Sequence, residues 1–349
     1  MKETPSDMIQ EISSSKLKMN LISKNSNPNN NNNLPSRDPS LINNLSFAHK
    51  PSGQRGKNDH NLEINYTSNT NDNNIPSTST ALLQKVVDKA DILEIEIINS
   101  LSMNSNLKIE INALGMTQGS KRQAKDGLTF FGLMDENNII DSNEKKDVDY
   151  IIYTNEVITE ENSNILGRHF CIRFDINSMK YYIKDLGCGY GTFKKIAKKA
   201  QIKDSYLLNI GNSYIVCTFG VDEYYPEGIV IPEQDKTLNI KVFSEIAQTE
   251  PHFFNPKQFK RIYIGRDISC DIIIDDSLLS RIHCTIEYDD EEGWFIYDGK
   301  IEDDESKNKL STNGTWLYLI EEIPIEDGLI FKNNKNAFEC RLLKQNKKK

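Results

Sequence analysis

The stretch IYIGRDISCDIIIDDSLLSRIHCTIEYDDEEGWFIYDGKIEDDESKNKLSTNGTW runs from Ile262 to Trp316. It holds short apolar runs that end or begin at polar corners. Gly265-Arg266 closes one run, Ser280-Arg281-Ile282-His283 opens the next, and Ser311-Thr312-Asn313-Gly314-Thr315 forms a third corner. Short runs rich in β-branched and aromatic residues, split by polar turns, are the pattern of strands. Three such corners meeting at one end of a sheet sandwich would make a small, cationic, hydroxyl-rich pocket. Two guanidiniums, two or three hydroxyls and an amide suit a phosphate monoester. No base and nucleophile pair stands among them.

This ordered set resembles the forkhead-associated (FHA) domain, over residues 237–345 and, in degraded form, over about 90–230. The resemblance implies a β-sandwich that binds phosphothreonine peptides and catalyses nothing. Carried onto the matching positions, it gives Arg266 a phosphate oxygen or a neighbouring peptide carbonyl to grip. Ser280 and Thr312 donate hydroxyls, Arg281 supplies counter-charge, and Asn313 bonds the ligand backbone. Gly265, His283, Gly314 and Thr315 support the site. A catalytic reading of His283 has little to stand on, since neither a triad order nor a G-x-S-x-G elbow is present. The plainer reading of Arg266 and Arg281 is a pair of surface arginines neutralised by Asp267, Asp275 or Asp276.

Two features depart from the family pattern. Tyr318 stands where an NGTxxNG stretch has asparagine, and KIEDDESKNK (300–309) is an acidic insertion just before the third corner. Beside a phosphate pocket, such a loop would favour basic residues flanking the phosphothreonine. Ser306 within it suits an acidophilic kinase.

Composition narrows the alternatives. The 349 residues suffice for two domains with a surplus, and the net charge is -9, which disfavours direct nucleic-acid binding. The six cysteines form no CxxC pair, so we expect buried, reduced thiols, no metal and no cofactor. The first twenty residues lack the apolar core of a signal peptide, and no apolar run suits a membrane helix. An intracellular protein, cytoplasmic or nuclear and without membrane insertion, is the expectation.

Residues 1–85 are rich in Asn and Ser, including the run Asn29 to Asn33; they read as a disordered tail. The expected architecture is therefore all-β: tandem FHA-type β-sandwiches at 90–230 and 237–345 behind that tail. KKIAKKA (194–200) is the one internal helix expected, and 228–236 reads as a linker or crossing strand. The two halves form a divergent internal repeat. ILGRHFCIRF parallels LLSRIHCTIEY, KYYIKDLGCGYGTF parallels the segment from WFIYDG to LSTNGTW, and LLNIGNSYIVCTFG parallels PIEDGLIFKNNKNAFECRLL.

The first repeat keeps His169, Gly191 and Thr192 but has Leu166, Gly167, Gly189 and Tyr190 where the second has Ser280, Arg281, Thr312 and Asn313. It reads as a structural or protein-contact domain, with Arg168, or Gly119-Ser120-Lys121-Arg122 in place of the Gly-Arg corner, as a route to unusual phosphate binding. The function expected is a phosphothreonine-dependent adaptor or scaffold. Its partner would be a phosphothreonine protein, or the chain's own tail at Thr67, Thr70, Thr78 or Thr80. The alternative is a structural component of a larger assembly that packs through its sandwiches without binding phosphate.

Overall fold

The computed structural model describes residues 75, 77–100, 103–134, 148–154, 158, 165–220, 236–244 and 250–345. The expected tail up to residue 74, most of the expected linker and the C-terminal lysines lie outside them. A short helix α1 (Thr80–Gln84) precedes β1 (Ile92–Asn99), β2 (Lys108–Asn112), β3 (Gly115–Met116), β4 (Leu128–Leu133), β5 (Tyr150–Ile151), β6 (Gly167–Asp175), β7 (Lys180–Asp185) and β8 (Thr192–Lys195). Next come β9 (Lys199–Gln201), β10 (Tyr206–Ile210), β11 (Ser213–Gly220), β12 (Thr237–Phe243), β13 (His252–Phe254) and β14 (Arg261–Gly265). The chain continues through β15 (Ile272–Ile273), β16 (Cys284–Asp289), β17 (Gly293–Asp298), β18 (Thr315–Tyr318), β19 (Ile323–Pro324), β20 (Ile330–Asn333) and β21 (Asn336–Leu343).

The alternation read from sequence carries through. In β1, Leu93, Ile95 and Ile97 are fully buried, while Glu94 and Glu96 point to the other face, as a period of two requires. Cross-strand cations meet them: Lys108 pairs with Glu94 at 2.9 Å and Arg341 with Glu96 at 2.8 Å. Opposite charges placed across a ladder help to fix its register.

The architecture is all-β, as expected, and builds two sandwiches. One eleven-stranded sheet runs β13-β12-β11-β10-β18-β8-β20-β21-β1-β2-β3, and two five-stranded sheets run β15-β14-β16-β17-β9 and β19-β7-β6-β4-β5. The sequence-order boundary at 230–237 does not separate the two. It falls between β11 and β12, which pair antiparallel from Tyr214↔Phe243 to Gly220↔Thr237. The repeats instead exchange their final strands. β10 and β11 of the first repeat lie beside β12 and β18 of the second, while β20 and β21 of the second lie beside β8 and β1 of the first.

The cores follow the same division. One core joins Leu93, Phe131, Phe170 and Ile183 to Ile325, Phe331, Phe338 and Cys340. The other joins Leu208, Ile215 and Cys217 to Leu238, Ile264, Ile286 and Leu317. The crossing point is the antiparallel pair β8 and β18, with Trp316↔Lys195, Leu317↔Lys194 and Tyr318↔Phe193. The repeat alignment equates Phe193 with Trp316, Lys194 with Leu317 and Lys195 with Tyr318. This register therefore maps onto itself when the repeats are interchanged, so a pseudo-two-fold passes through the Lys194↔Leu317 pair.

Two local expectations change. KKIAKKA (194–200) is not a helix: Lys194 and Lys195 end β8, and Lys199 and Ala200 belong to β9, which pairs with β17. Ile196 and Ile202 enter the second core, and that burial outweighs the helix propensity of alanine and lysine. The described residues also reach into the span read as tail. Leu83 of α1 is fully buried and belongs to the first core.

The exchange sets an expectation for fragments. A fragment of residues 237–345 lacks β10 and β11, so its strands cannot close a sandwich, whereas 196–320 contains every strand of the second core. Thermal melts followed by circular dichroism are expected to be cooperative for 196–320 and for 75–345, but not for 237–345. A cooperative melt of monomeric 237–345 would contradict the exchange.

Candidate functional site

β14 ends at Gly265, and a Cβ there would stand 2.2 Å from the Arg281 carbonyl oxygen. Glycine thus lets the first two corners lie backbone to backbone. The Arg266 amide donates to the Ser280 carbonyl at 3.3 Å, and the Asp267 amide to the Arg281 carbonyl at 3.1 Å. The third corner joins through side chains. The Thr312 amide donates to Ser280 Oγ at 3.0 Å, Ser280 Oγ lies 3.4 Å from Thr312 Oγ1, and Asn313 Nδ2 donates to the Leu278 carbonyl at 2.7 Å. All five residues expected to bind ligand therefore sit on three adjoining corners.

Arg266, Arg281, Thr312 and Asn313 are exposed, and Ser280 is half-buried. Among the described residues, no ion pair joins either arginine. Two of the expected neutralising partners, Asp276 and Asp267, accept hydrogen bonds from other residues. Asp276 is buried and accepts from the Asn212 amide at 2.7 Å and from Ser213 Oγ at 3.0 Å. Asp267 is held below the usual carboxylate range, first by the Ser269 amide and hydroxyl, with a smaller contribution from Arg281 and Arg266.

The supporting residues lie directly beneath. His283 is fully buried. Its Nδ1 accepts from the Ser280 amide at 3.1 Å, which places the ring proton on Nε2, 3.1 Å from the Gly314 carbonyl it donates to. One imidazole thereby ties the second corner to the third. Gly314 has φ +77°, a left-handed conformation suited to glycine. Asp298 Oδ1 accepts from Ser311 Oγ at 2.6 Å and Thr315 Oγ1 at 2.8 Å, and Trp316 Nε1 donates to the Asn313 carbonyl at 2.9 Å. Sequence reasoning named Asp276 only as a partner for the arginines, and passed over Asp298 and the hairpin at Asn212 and Ser213. Asp298 closes a strand immediately before the acidic insertion and reads as a turn residue, so only the fold reveals that it anchors the corner.

The acidic insertion does not face the corners as expected. Asp303 pairs with Arg261 at 3.0 Å, at the far end of β14 from Gly265. Four residues of strand separate those ends, about 13 Å. Glu302 pairs with Lys300, and Asp304 with Lys307 at 3.3 Å, so much of the insertion's charge is met locally. Ser306 is exposed, and its hydroxyl donates to Asp304 Oδ1 at 2.6 Å.

The corresponding end of the other sandwich differs. A Cβ on Gly132 would stand 2.0 Å from the Gly167 carbonyl oxygen, the same close approach as Gly265 to Arg281. Gly132 and Leu133, not Gly119–Arg122, therefore occupy the Gly-Arg position, and Leu133 is buried. Arg122 is instead paired with Asp126 at 2.7 Å and Asp149 at 3.0 Å. Arg168 stacks over the Phe130 ring, 3.8 Å from its centroid. His169 keeps a bracing role, with Nδ1 2.9 Å from Asn333 Oδ1, while Asn333 Nδ2 donates to the Gly191 carbonyl at 3.1 Å. Tyr318, the departure from the family pattern, donates its hydroxyl to Asp185 Oδ1 at 2.8 Å and so links its own corner to the other sandwich. Of the tail threonines, Thr67 and Thr70 lie outside the described residues, and Thr80 Oγ1 donates to the Lys125 carbonyl at 2.6 Å.

The family model for the FHA domain matches residues 262–332. The match runs from β14 through β18 in one sandwich to β19 and β20 in the other. No curated protein matches the chain. Among solved structures, the FHA-1 domain of Rv1747 from Mycobacterium tuberculosis is similar, with 20% identity and a TM-score of 0.15, over 27% of this chain and 89% of that one. FHA domains are in general phosphothreonine-binding modules of protein interaction, mostly without enzymatic activity. Among the described residues, no helix is long and apolar enough to cross a membrane.

Burial pushes the His283 pKa below its ordinary 6.5, and the Gly314 carbonyl offsets part of that. As pH falls, the unfolded chain takes up the proton first. The bridge contributes fully above about 6.5, and stability is lost as pH falls through the folded value. The thermal midpoint is expected to drop between about pH 7 and pH 5, and less steeply in His283→Gln. Parallel slopes for the two proteins would assign the titration to another group.

Proposed function

We infer that this chain, which carries an FHA domain across residues 262–332, is a non-enzymatic adaptor that captures a phosphothreonine segment of another protein. The observation that carries this reading is the convergence of two exposed arginines with Ser280, Thr312 and Asn313 on corners locked together from beneath. Arg281 and Arg266 supply charge to the phosphate. Ser280 and Thr312 offer hydroxyl donors, and Asn313 faces the ligand backbone. A dianion gripped by guanidiniums gains charge-assisted hydrogen bonds worth roughly 1.5–3 kcal/mol each, enough for micromolar affinity when two or three form.

The other sandwich takes a supporting role in this reading. It has Leu133 and Gly167 where a phosphate site needs arginines, and its remaining polar residues are engaged in bracing. Capture would follow the action of a threonine kinase, so phosphorylation of the partner sets the timing of assembly. The six cysteines are free among the described residues, which fits an intracellular compartment.

The test is titration of the full chain with a degenerate phosphothreonine peptide library beside its unphosphorylated and phosphoserine counterparts. Phosphothreonine peptides are expected to bind and unphosphorylated ones not. Arg281→Ala is expected to weaken binding at least ~10-fold, the equivalent of losing one charge-assisted bond, while leaving the melt unchanged. A folded chain that binds no phosphopeptide would favour the packing-module alternative.

A further inference from the structure

Lys195 belongs to β8 of the first repeat, yet its side chain lies against the third corner of the second. Its Cε would be 2.8 Å, and its Cδ 3.6 Å, from a Cβ on Gly314. The residue is half-buried, and its stem lies against the glycine. Among the described residues, no carboxylate pairs with it.

The placement follows from the pseudo-two-fold. Lys195 is the counterpart of Tyr318 in the β8 and β18 register. Tyr318 reaches Asp185 beneath the equivalent corner of the other sandwich. Asp298, the counterpart of Asp185, is occupied by Ser311 and Thr315. Each sandwich thus receives at its third corner one side chain from the other repeat. A tyrosine is tied down on one side, and a lysine with an uncommitted charge lies on the other.

We propose that Lys195 is a specificity-determining residue of the candidate site, selecting ligands with an anionic side chain flanking the phosphothreonine where the peptide passes Gly314. The proposal rests on the phosphothreonine reading and adds the class of ligand. The flanking anion is a carboxylate or a second phosphate. This preference is opposite to the one the acidic insertion suggested; Asp303 of that insertion pairs with Arg261, at the far end of β14 from the corners.

The test uses the full chain at low ionic strength, where an exposed ion pair is least screened. Phosphothreonine peptides carry a single Glu walked through the flanking positions, each compared with Gln at the same position. A parallel arm places phosphoserine at the best position to separate carboxylate from phosphate preference. At one or two positions Glu is expected to raise affinity about two- to five-fold, the range of an exposed ion pair. Lys195→Gln should abolish that gain without changing the affinity of the Gln peptides, and Lys195→Arg should retain it. A Glu preference that survives Lys195→Gln, or none at any position, overturns the role of Lys195 while leaving the phosphothreonine reading intact. Failure of every phosphopeptide to bind overturns both.

Discussion

The pairing of β8 with β18 is the constraint from which the rest of the structure follows. Each strand is the point where its repeat leaves one sandwich and enters the other. Their ladder is the line along which the two halves become one eleven-stranded sheet. Because the final strands are exchanged, neither repeat owns a complete core. Phe331 and Phe338 of the second repeat stack with ring centroids 4.9 Å apart and lie against Phe170 of the first. Leu208, Ile215 and Cys217 of the first repeat fill the sandwich that carries the candidate site. The two halves of the chain therefore depend on each other to bury their apolar faces, and such burial is the main force that drives folding.

The same exchange braces the candidate site. The corner that presents Ser280 and Arg281 is preceded by Asp276, whose carboxylate takes two hydrogen bonds from the hairpin at Asn212 and Ser213 in the first repeat. Close to the crossing ladder, Lys332 of the second repeat contacts Asn209 of the first and stacks over Trp316, 4.6 Å from the ring centroid. Burial lowers its pKa to about 7. Trp316 in turn holds the Asn313 carbonyl, so the third corner is supported by strands from both repeats.

Much of this was legible in the sequence, and what was missed has one physical origin. The alternation of Leu93, Ile95 and Ile97 or of Ile262 and Ile264 marks strands because a sheet buries one face. Gly265, His283 and Gly314 mark corners because each meets a requirement of space, hydrogen bonding or dihedral angle that few residues satisfy. Alternation reports which face is buried but not which strand lies alongside, so the exchange left no trace in it. KKIAKKA lacks the pattern of its strands because β8 and β9 are short and flank a crossing, where Ile196 turns into the second core. Gly119–Arg122 matches a Gly-Arg corner in composition alone. The spatial equivalent, Gly132 and Leu133, is visible only through its close approach to Gly167.

The contrast between the two sandwich ends separates what folding requires from what it does not. Both keep the histidine and the glycine of the third corner, and in both the histidine helps to fix that corner. Those residues therefore say nothing in themselves about a ligand. The arginines differ: Arg266 and Arg281 are exposed and unpaired among the described residues, and exposed charges contribute little to stability even when paired. The other end folds with Leu133 and Gly167 in their places. Asp267 lies within electrostatic reach of both arginines, but it is held first by the Ser269 amide and hydroxyl. Folding alone does not require that arrangement of arginines.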